Sequence, residues 1–331
     1  MANAAFSPKD FKAWIIEEGT TGTIPTITSG LLQLDVDSVS FPSLNVNQNL
    51  DKRTSVGRVL ASADFFQDNE MRATEVSLGG TFHKDGAHVM LLQSVCGQAL
   101  NSTVADVSIA YNNTCVSGKY GTTEGDKTFT LVLAPPDTTD GYNIVMPGCL
   151  CTNFTISADT GSNGGVYTWS ANISSGQNPS TDNTATEAGT AYSSAPIAIS
   201  TLTGATTINS IASTVLSSFS VSIDSPAVYQ GFSATGYAAF ARAAEVAVTA
   251  SAQVKYDSVT RPLINNFNTQ SAHDAADAFT MTQASATDCS IAIASAVLTN
   301  VAISEGDIAM IDVELKAVNI GSGNVIVFDL A

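Results

Sequence analysis

The chain is short of charge. Only 13% of its 331 residues are Asp, Glu, Lys or Arg, against roughly 25% in a typical soluble domain. The deficit falls mainly on cations: 13 Lys and Arg face 30 Asp and Glu, a formal net charge of −17. Few cations and no basic run exclude tight nucleic-acid binding, which needs positive groups to displace counterions from phosphates. Aromatic residues make up only 7%, and the two tryptophans, Trp14 and Trp169, fall outside any repeated pattern. That is thin material for the aromatic platforms of a carbohydrate-binding module. Five cysteines (Cys96, Cys115, Cys149, Cys151, Cys289) are odd in number and unevenly spaced, so they read as reduced, buried side chains. Cys149 and Cys151 share one side of a strand, yet no further Cys or His pair completes a tetrahedral zinc site. Residues Met1 to Asp10 lack the apolar core of a signal peptide, and no run reaches the ~18 apolar residues of a membrane helix. The expectation is a protein neither secreted by that route nor inserted in a membrane. The glycosylation-like triplets at Asn101, Asn112, Asn153 and Asn172 are what a chain rich in Asn, Ser and Thr produces by chance.

Catalytic patterns are also missing. Gly118-Lys119-Tyr120 lacks the glycine spacing and Ser or Thr of a phosphate loop. His83, His88 and His273 are not spaced as metal ligands, and Asp35 and Asp37 are not followed by the oxygen ligands of a calcium loop. No Gly-x-Ser-x-Gly elbow occurs. The reading is a non-enzyme with no metal and no cofactor.

What remains is a hydrophobic fraction of 44%, ample for a core, beneath a surface of Ser, Thr, Asn, Gly and Ala. Such a surface suits a protein whose faces are covered by other copies of itself. Length allows about two domains, and the sequence repeats. Thr152-Asn153-Phe154-Thr155-Ile156-Ser157 returns as Thr299-Asn300-Val301-Ala302-Ile303-Ser304, and at the same spacing Val166, Asn172 and Ile173 fall on Val313, Asn319 and Ile320. Upstream, Ala73-Thr74-Glu75-Val76-Ser77-Leu78 lines up with Ala243-Ala244-Glu245-Val246-Ala247-Val248, and Thr128-Phe129-Thr130 with Ala278-Phe279-Thr280.

The alternation is that of half-wet strands. Thr74, Val76, Leu78, Gly80 and Phe82 face one way, and Glu75, Ser77, Gly79, Thr81 and His83 the other; Val248, Ala250, Ala252 and Val254 oppose Thr249, Ser251, Gln253 and Lys255. Each strand leads through a turn, Asp85-Gly86 or Asp257-Ser258, into a short helix, the second opened by Pro262. Further strands are expected around 129–133, 151–157, 166–173, 279–281, 297–304 and 308–318. The boundaries are an N-terminal arm over 1–30, a first β-domain over 31–175, a Ser/Thr-rich linker or loop over 176–205 and a second β-domain over 206–331. The fold class is mainly β: two tandem antiparallel sandwich or barrel domains, each with a short flanking helix.

Asp37-Ser38-Val39-Ser40-Phe41-Pro42-Ser43-Leu44-Asn45, then Gly57-Arg58-Val59-Leu60, Phe65-Phe66-Gln67-Asp68-Asn69 and Ser77-Leu78-Gly79-Gly80-Thr81-Phe82-His83-Lys84-Asp85 resemble the major tail tube proteins of long-tailed bacteriophages. The resemblance is strongest over residues 31–97. It implies a sandwich whose inner strands join those of neighbouring subunits into a barrel around a channel, in rings stacked between head and tail tip. Duplicated relatives form trimeric, pseudo-hexameric rings. Implied partners are other copies of the chain, tail terminator, tail tip and tape-measure proteins, and viral DNA in transit without specific binding; the implied location is the virion, after assembly in the host cytoplasm.

On this reading the channel-lining candidates are Glu75, Ser77, Thr81, Glu245, Thr249, Ser251, Asp312 and Glu314, in a bore acidic and free of Lys and Arg. The excursion from Pro42 to Arg72 holds 4 of the 13 cations, Lys52, Arg53, Arg58 and Arg72. With Phe65 and Phe66 it is expected to meet the adjacent ring, where a basic loop on an acidic subunit fixes orientation. The competing reading is a β-sandwich adhesin, carbohydrate-binding or decoration protein on a virion surface.

Overall fold

The computed structural model describes residues 6–37, 39–42, 47–50, 65–68, 73–101, 106–110, 117–123, 128–136, 143–182, 189–199, 206–213, 215–233, 235–242, 245–269, 278–281, 289–319, 321 and 323–330. The chain opens with β1 (Lys12–Glu17), β2 (Leu32–Leu34), β3 (Asn47–Leu50), β4 (Phe65–Asp68) and β5 (Thr74–Thr81), followed by helix α1 (Gly86–Val95). Next come β6 (Val107–Ala110), β7 (Ser117–Lys119), β8 (Phe129–Ala134), β9 (Asn143–Asp159), β10 (Thr168–Ser175) and β11 (Ser180–Asp182). Then follow β12 (Thr206–Ile208), β13 (Ile211–Ser213), β14 (Leu216–Asp224), β15 (Ala227–Phe232), β16 (Tyr237–Arg242) and β17 (Ala247–Lys255). Helix α2 (Pro262–Thr269) leads to β18 (Phe279–Met281), β19 (Ser290–Ile293), β20 (Ala296–Ser304), β21 (Met310–Ala317) and β22 (Asn324–Asp329).

The fold is mainly β and antiparallel. One eleven-stranded sheet runs β2-β1-β8-β9-β14-β17-β21-β20, with β10 between β9 and β5 and with β11 on β9. A six-stranded sheet, β13-β12-β18-β19-β22-β6, and the small sheet β15-β16-β7 complete the body, with β3 and β4 paired to each other. The large sheet does not close on itself. It also ignores the midpoint of the sequence, because β9 pairs with β14 from Asn153↔Asp224 to Asp159↔Ser218.

The arm and the stretch between the halves are built into this body. Strand β1 pairs with β2 and β8 and buries Ala13, Trp14 and Ile15. The 176–205 stretch supplies β11, and Ile197 and Ile199 are buried.

The repeat is visible as topology. In the first half β5, α1, β9 and β10 form a unit in which β10 lies between β9 and β5; in the second, β17, α2, β20 and β21 do the same with β21 between β20 and β17. Helix α1 packs on β9 and α2 on β20. The ladders even share a bulge: Thr152 is skipped between Cys151↔Ile173 and Asn153↔Asn172, and Thr299 between Leu298↔Leu315 and Asn300↔Glu314. An extra residue there bends the strand and sharpens its twist.

Register corrects two of the sequence matches. The β9–β10 connection is longer than the β20–β21 connection, so Ile173 answers to Leu315 and not to Ile320. Following the ladders onward, Val76 answers to Ala250 and Glu75 to Thr249, so Glu75 is not the counterpart of Glu245. Phe129 and Phe279, matched by sequence, lie in different sheets.

Helix α1 is capped by Asp85, whose Oδ1 accepts from Ala87 and His88 N–H, and every residue from Ala87 to Val95 is buried. It is enclosed on all sides, whereas the sequence suggested one covered face. Helix α2 buries Leu263 alone.

Two buried charges tie elements together. Glu18, 3% exposed, accepts from Thr128 Oγ1, from Thr130 Oγ1 (2.6 Å) and from the N–H groups of Gly148 (2.8 Å) and Gly22 (2.6 Å). Burial pushes its carboxyl above the ordinary range, against the pull of these donors. Arg242 donates through Nη1 to Cys151 O (3.0 Å) and Ser225 O (2.6 Å) and through Nη2 to Ser94 O (2.6 Å), clamping β16 to β9 and the end of α1. Cys96, Cys149, Cys151 and Cys289 are buried, and burial pushes the Cys151 thiol up to about 12.

Candidate functional site

Alternation along seven neighbouring strands of the large sheet gathers one apolar and one polar face. Val76, Leu78, Phe154, Ile156, Ala171, Ile173, Phe219, Val221, Ile223, Val248, Ala250, Val254, Ile311, Val313 and Leu315 all point into the core. The residues between them make a surface that crosses both halves without a break. One row reads Thr81–Thr168–Ser157–Ser220–Ser251–Glu314–Asn300, each pair in register across β5, β10, β9, β14, β17, β21 and β20. The next reads Gly79–Ser170–Thr155–Ser222–Thr249–Lys316.

Most of this face is hydroxyl or amide, and its polar groups bond to one another. Ser77 Oγ donates to Asn172 Oδ1 (2.8 Å), Thr155 Oγ1 to Ser222 Oγ (2.9 Å), and Gln253 Nε2 to Asp312 Oδ1 (2.8 Å), while Ser157 Oγ and Thr168 Oγ1 lie 3.1 Å apart. Such pairs across strands stabilise the sheet modestly, about 0.2–1 kcal/mol each. They also leave fewer donors and acceptors turned outward.

Seven of the eight expected face residues come together here. Glu75, Ser77, Thr249 and Glu314 are exposed, and Thr81, Ser251 and Asp312 half-buried, all on the same side of the sheet. Glu245 is exposed but precedes β17, outside the ladder. Sequence reasoning missed the centre of the surface, which β9, β10 and β14 supply. The signal was present in Ser218, Ser220 and Ser222 alternating with Phe219, Val221 and Ile223. It also missed Lys316, which the ladders set beside Thr249; with Lys255, already assigned to the polar file of β17 and paired with Met310, the face is not free of lysine, contrary to expectation. Asp159 and Asp224 join its acids through Ser218 and Asn153. Lys52, Arg53, Arg58 and Arg72 lie outside the described residues; Phe65 and Phe66 stand in β4, paired with Leu50 and Asn49, and their side chains are outside the description. Among the described residues no group of three or more His, Cys, Asp or Glu side chains is arranged to hold a metal, and no helix is long and apolar enough to cross a membrane.

What the fold and this face define first is a class: a mainly-β structural protein organised around one long open sheet, dry on one side and paved with small polar groups on the other. The chain then matches the phage tail tube protein family over residues 12–317, nearly its whole length, and belongs to that family. It is a structural component of the phage tail. A comparison with curated proteins gives no match.

Proposed function

We propose that the chain is the repeating subunit of the tail tube, that copies join side by side into rings, and that the hydroxyl face lines the bore through which DNA leaves. The observation that carries this reading is the continuity of that face across the β9–β14 seam: one chain already makes a two-unit sector of a larger curved sheet. A sheet that ends in open edges is made safe by closure with its neighbours.

Two units per chain favour three chains per ring, each ring standing for six units. The bore on this reading is a hydroxyl surface with scattered charges, mostly acidic: Glu75, Asp159, Asp224, Asp312 and Glu314 against Lys255 and Lys316. DNA gains little from such a wall, because its carboxylates outnumber its two lysines and screening over ~8 Å damps what attraction remains. The two halves act as two copies of one tube unit, and tail terminator, tip and tape-measure proteins are the expected partners at the ends and inside the tube.

The test is ring mass and shape. Purified protein raised in concentration should give rings or tubes in negative-stain images, and mass photometry of single rings should return three chains. Discrete monomers at every concentration would remove the tube reading; six chains per ring would remove the equivalence of the halves.

A further inference from the structure

The seam between the halves has two sides, and each has a counterpart at an outer edge of the sheet. Within the chain, β9 and β14 bury Phe154, Ile156, Val221 and Ile223, each 1% exposed. The counterpart of β9 is β20. Among the described residues β20 has a ladder partner on one side only, and Ile303, which answers to Ile156, is 52% exposed. The counterpart of β14 is the segment before β5. As β14 flanks β17, residues 35–37 and 39–41 flank β5, and with Ser40 beside Ser77, the counterpart of Ser251, Val39-Ser40-Phe41 stand where Phe219-Ser220-Val221 stand in the second half. Phe41 is 41% exposed. Each end of the sheet therefore offers one side of a seam that the chain already makes once.

The segment beside β5 is not zipped into a ladder. Asp37 N–H donates to Gly79 O (3.0 Å), but at Ser77 a side chain takes over: Ser40 Oγ accepts from Ser77 N–H (3.1 Å) and donates to Ser77 O (2.7 Å). Further back, Asp35 is pinned by Trp169 Nε1–H to its carbonyl (3.1 Å) and by His83 Nε2 at its Oδ2 (3.1 Å). Gly80 permits this approach, since a Cβ there would stand 2.3 Å from Asp35 O. Among the described residues the edge is held mainly by side chains, and its backbone pairing to β5 stops at Asp37. That blunts it as a template for stray strands.

We infer that the open edge of β20 receives the Val39–Phe41 segment of a second copy in the register of the β9–β14 seam, with Ser304 opposite Ser40 and Ile303 opposite Phe41, and that the Ser40 cap keeps this edge unzipped until that neighbour arrives. The inference rests on the tube reading and names the surfaces that reading leaves open. The internal model for the Ser304–Ser40 contact is Ser157 opposite Ser220.

Paired cysteines test the register. Ser40 is exposed, Ser304 is half-buried, and the four described cysteines are buried, so a chain carrying Ser304→Cys and Ser40→Cys should link chain to chain when assembled material is oxidised. A chain carrying Ala302→Cys and Ser40→Cys, shifted by two residues, should not. If the native chain forms rings while only the shifted pair links, or neither pair does, this seam is wrong and the tube reading stands. If the native chain never assembles, both fall. The cap has its own readout. Ser40→Val frees both Ser77 backbone groups and favours extended backbone, so the concentration at which rings appear should drop several-fold; an unchanged or higher threshold would overturn the role given to Ser40.

Discussion

Strands β9 and β20 carry the same design in two settings. Both have the skipped threonine, both are flanked by a returning strand, and both carry a helix on the dry side. Yet β9 is covered along its second edge by β14, while β20 ends the sheet, and Ile156 is 1% exposed where Ile303 is 52%. The helices differ in the same sense, α1 enclosed and α2 with a single buried residue. Local sequence sets the shape of a unit; a neighbour decides whether its edge is core or surface.

The sharpest way to break this comparison is to put one charge on each strand. Ile156→Asp strands an unpaired carboxylate in the core and should cost about 3–5 kcal/mol or prevent folding, read as loss of the thermal transition. Ile303→Asp should change monomer stability by no more than about 0.5 kcal/mol and abolish rings. Equal effects on stability at the two sites would erase the distinction.

Next in size is the clamp that only the first half receives. Arg242→Ala strips hydrogen bonds from Cys151 O, Ser225 O and Ser94 O, and should lower stability by about 2–3 kcal/mol in denaturant titrations. Its effect should be seen as faster amide exchange at the end of α1, with α2 unchanged.

Glu18 gives a smaller, pH-dependent difference. Its folded value is raised by burial above the ordinary 4.5, so the folded state holds the proton more tightly than the unfolded one. Its contribution is full below that ordinary value and is lost as pH rises through the raised one. The deficit of Glu18→Gln against the native chain should therefore be largest in acid and shrink toward neutrality, as thermal scans at several pH values would record. A deficit growing with pH would reverse the sign.

The smallest effect is expected on the polar face. Ser220→Lys places a cation in the middle of the seven-strand row and should slow DNA release in timed ejection measurements, whereas Glu245→Lys, outside the ladder, should leave the rate unchanged.

Much of this architecture can be read from the chain. The repeated Thr152 and Thr299 segments mark the two bulged strands, the Asp85 and Asp257 turns announce the helices, and simple alternation assigns Glu75, Ser77, Thr249 and Ser251 to the wet side. Register was harder. A loop between Asp159 and Thr168 that is longer than its counterpart displaces an ungapped match, and the alanines of β17 carry too little information to reveal the slip from Glu75 to Thr249. The seam itself has no local signal, because β9 and β14 are distant in sequence and meet only through folding.

The paired bulges at Thr152 and Thr299 have one more consequence. A bend built at the equivalent point of both units of one chain makes curvature a property of the chain, set before any neighbour is met. Straightening one of them, by deleting Thr299 so that the ladder runs unbroken, would leave one unit flat beside one curved, and any cylinder built on the proposed plan would be warped even where every edge still found its mate.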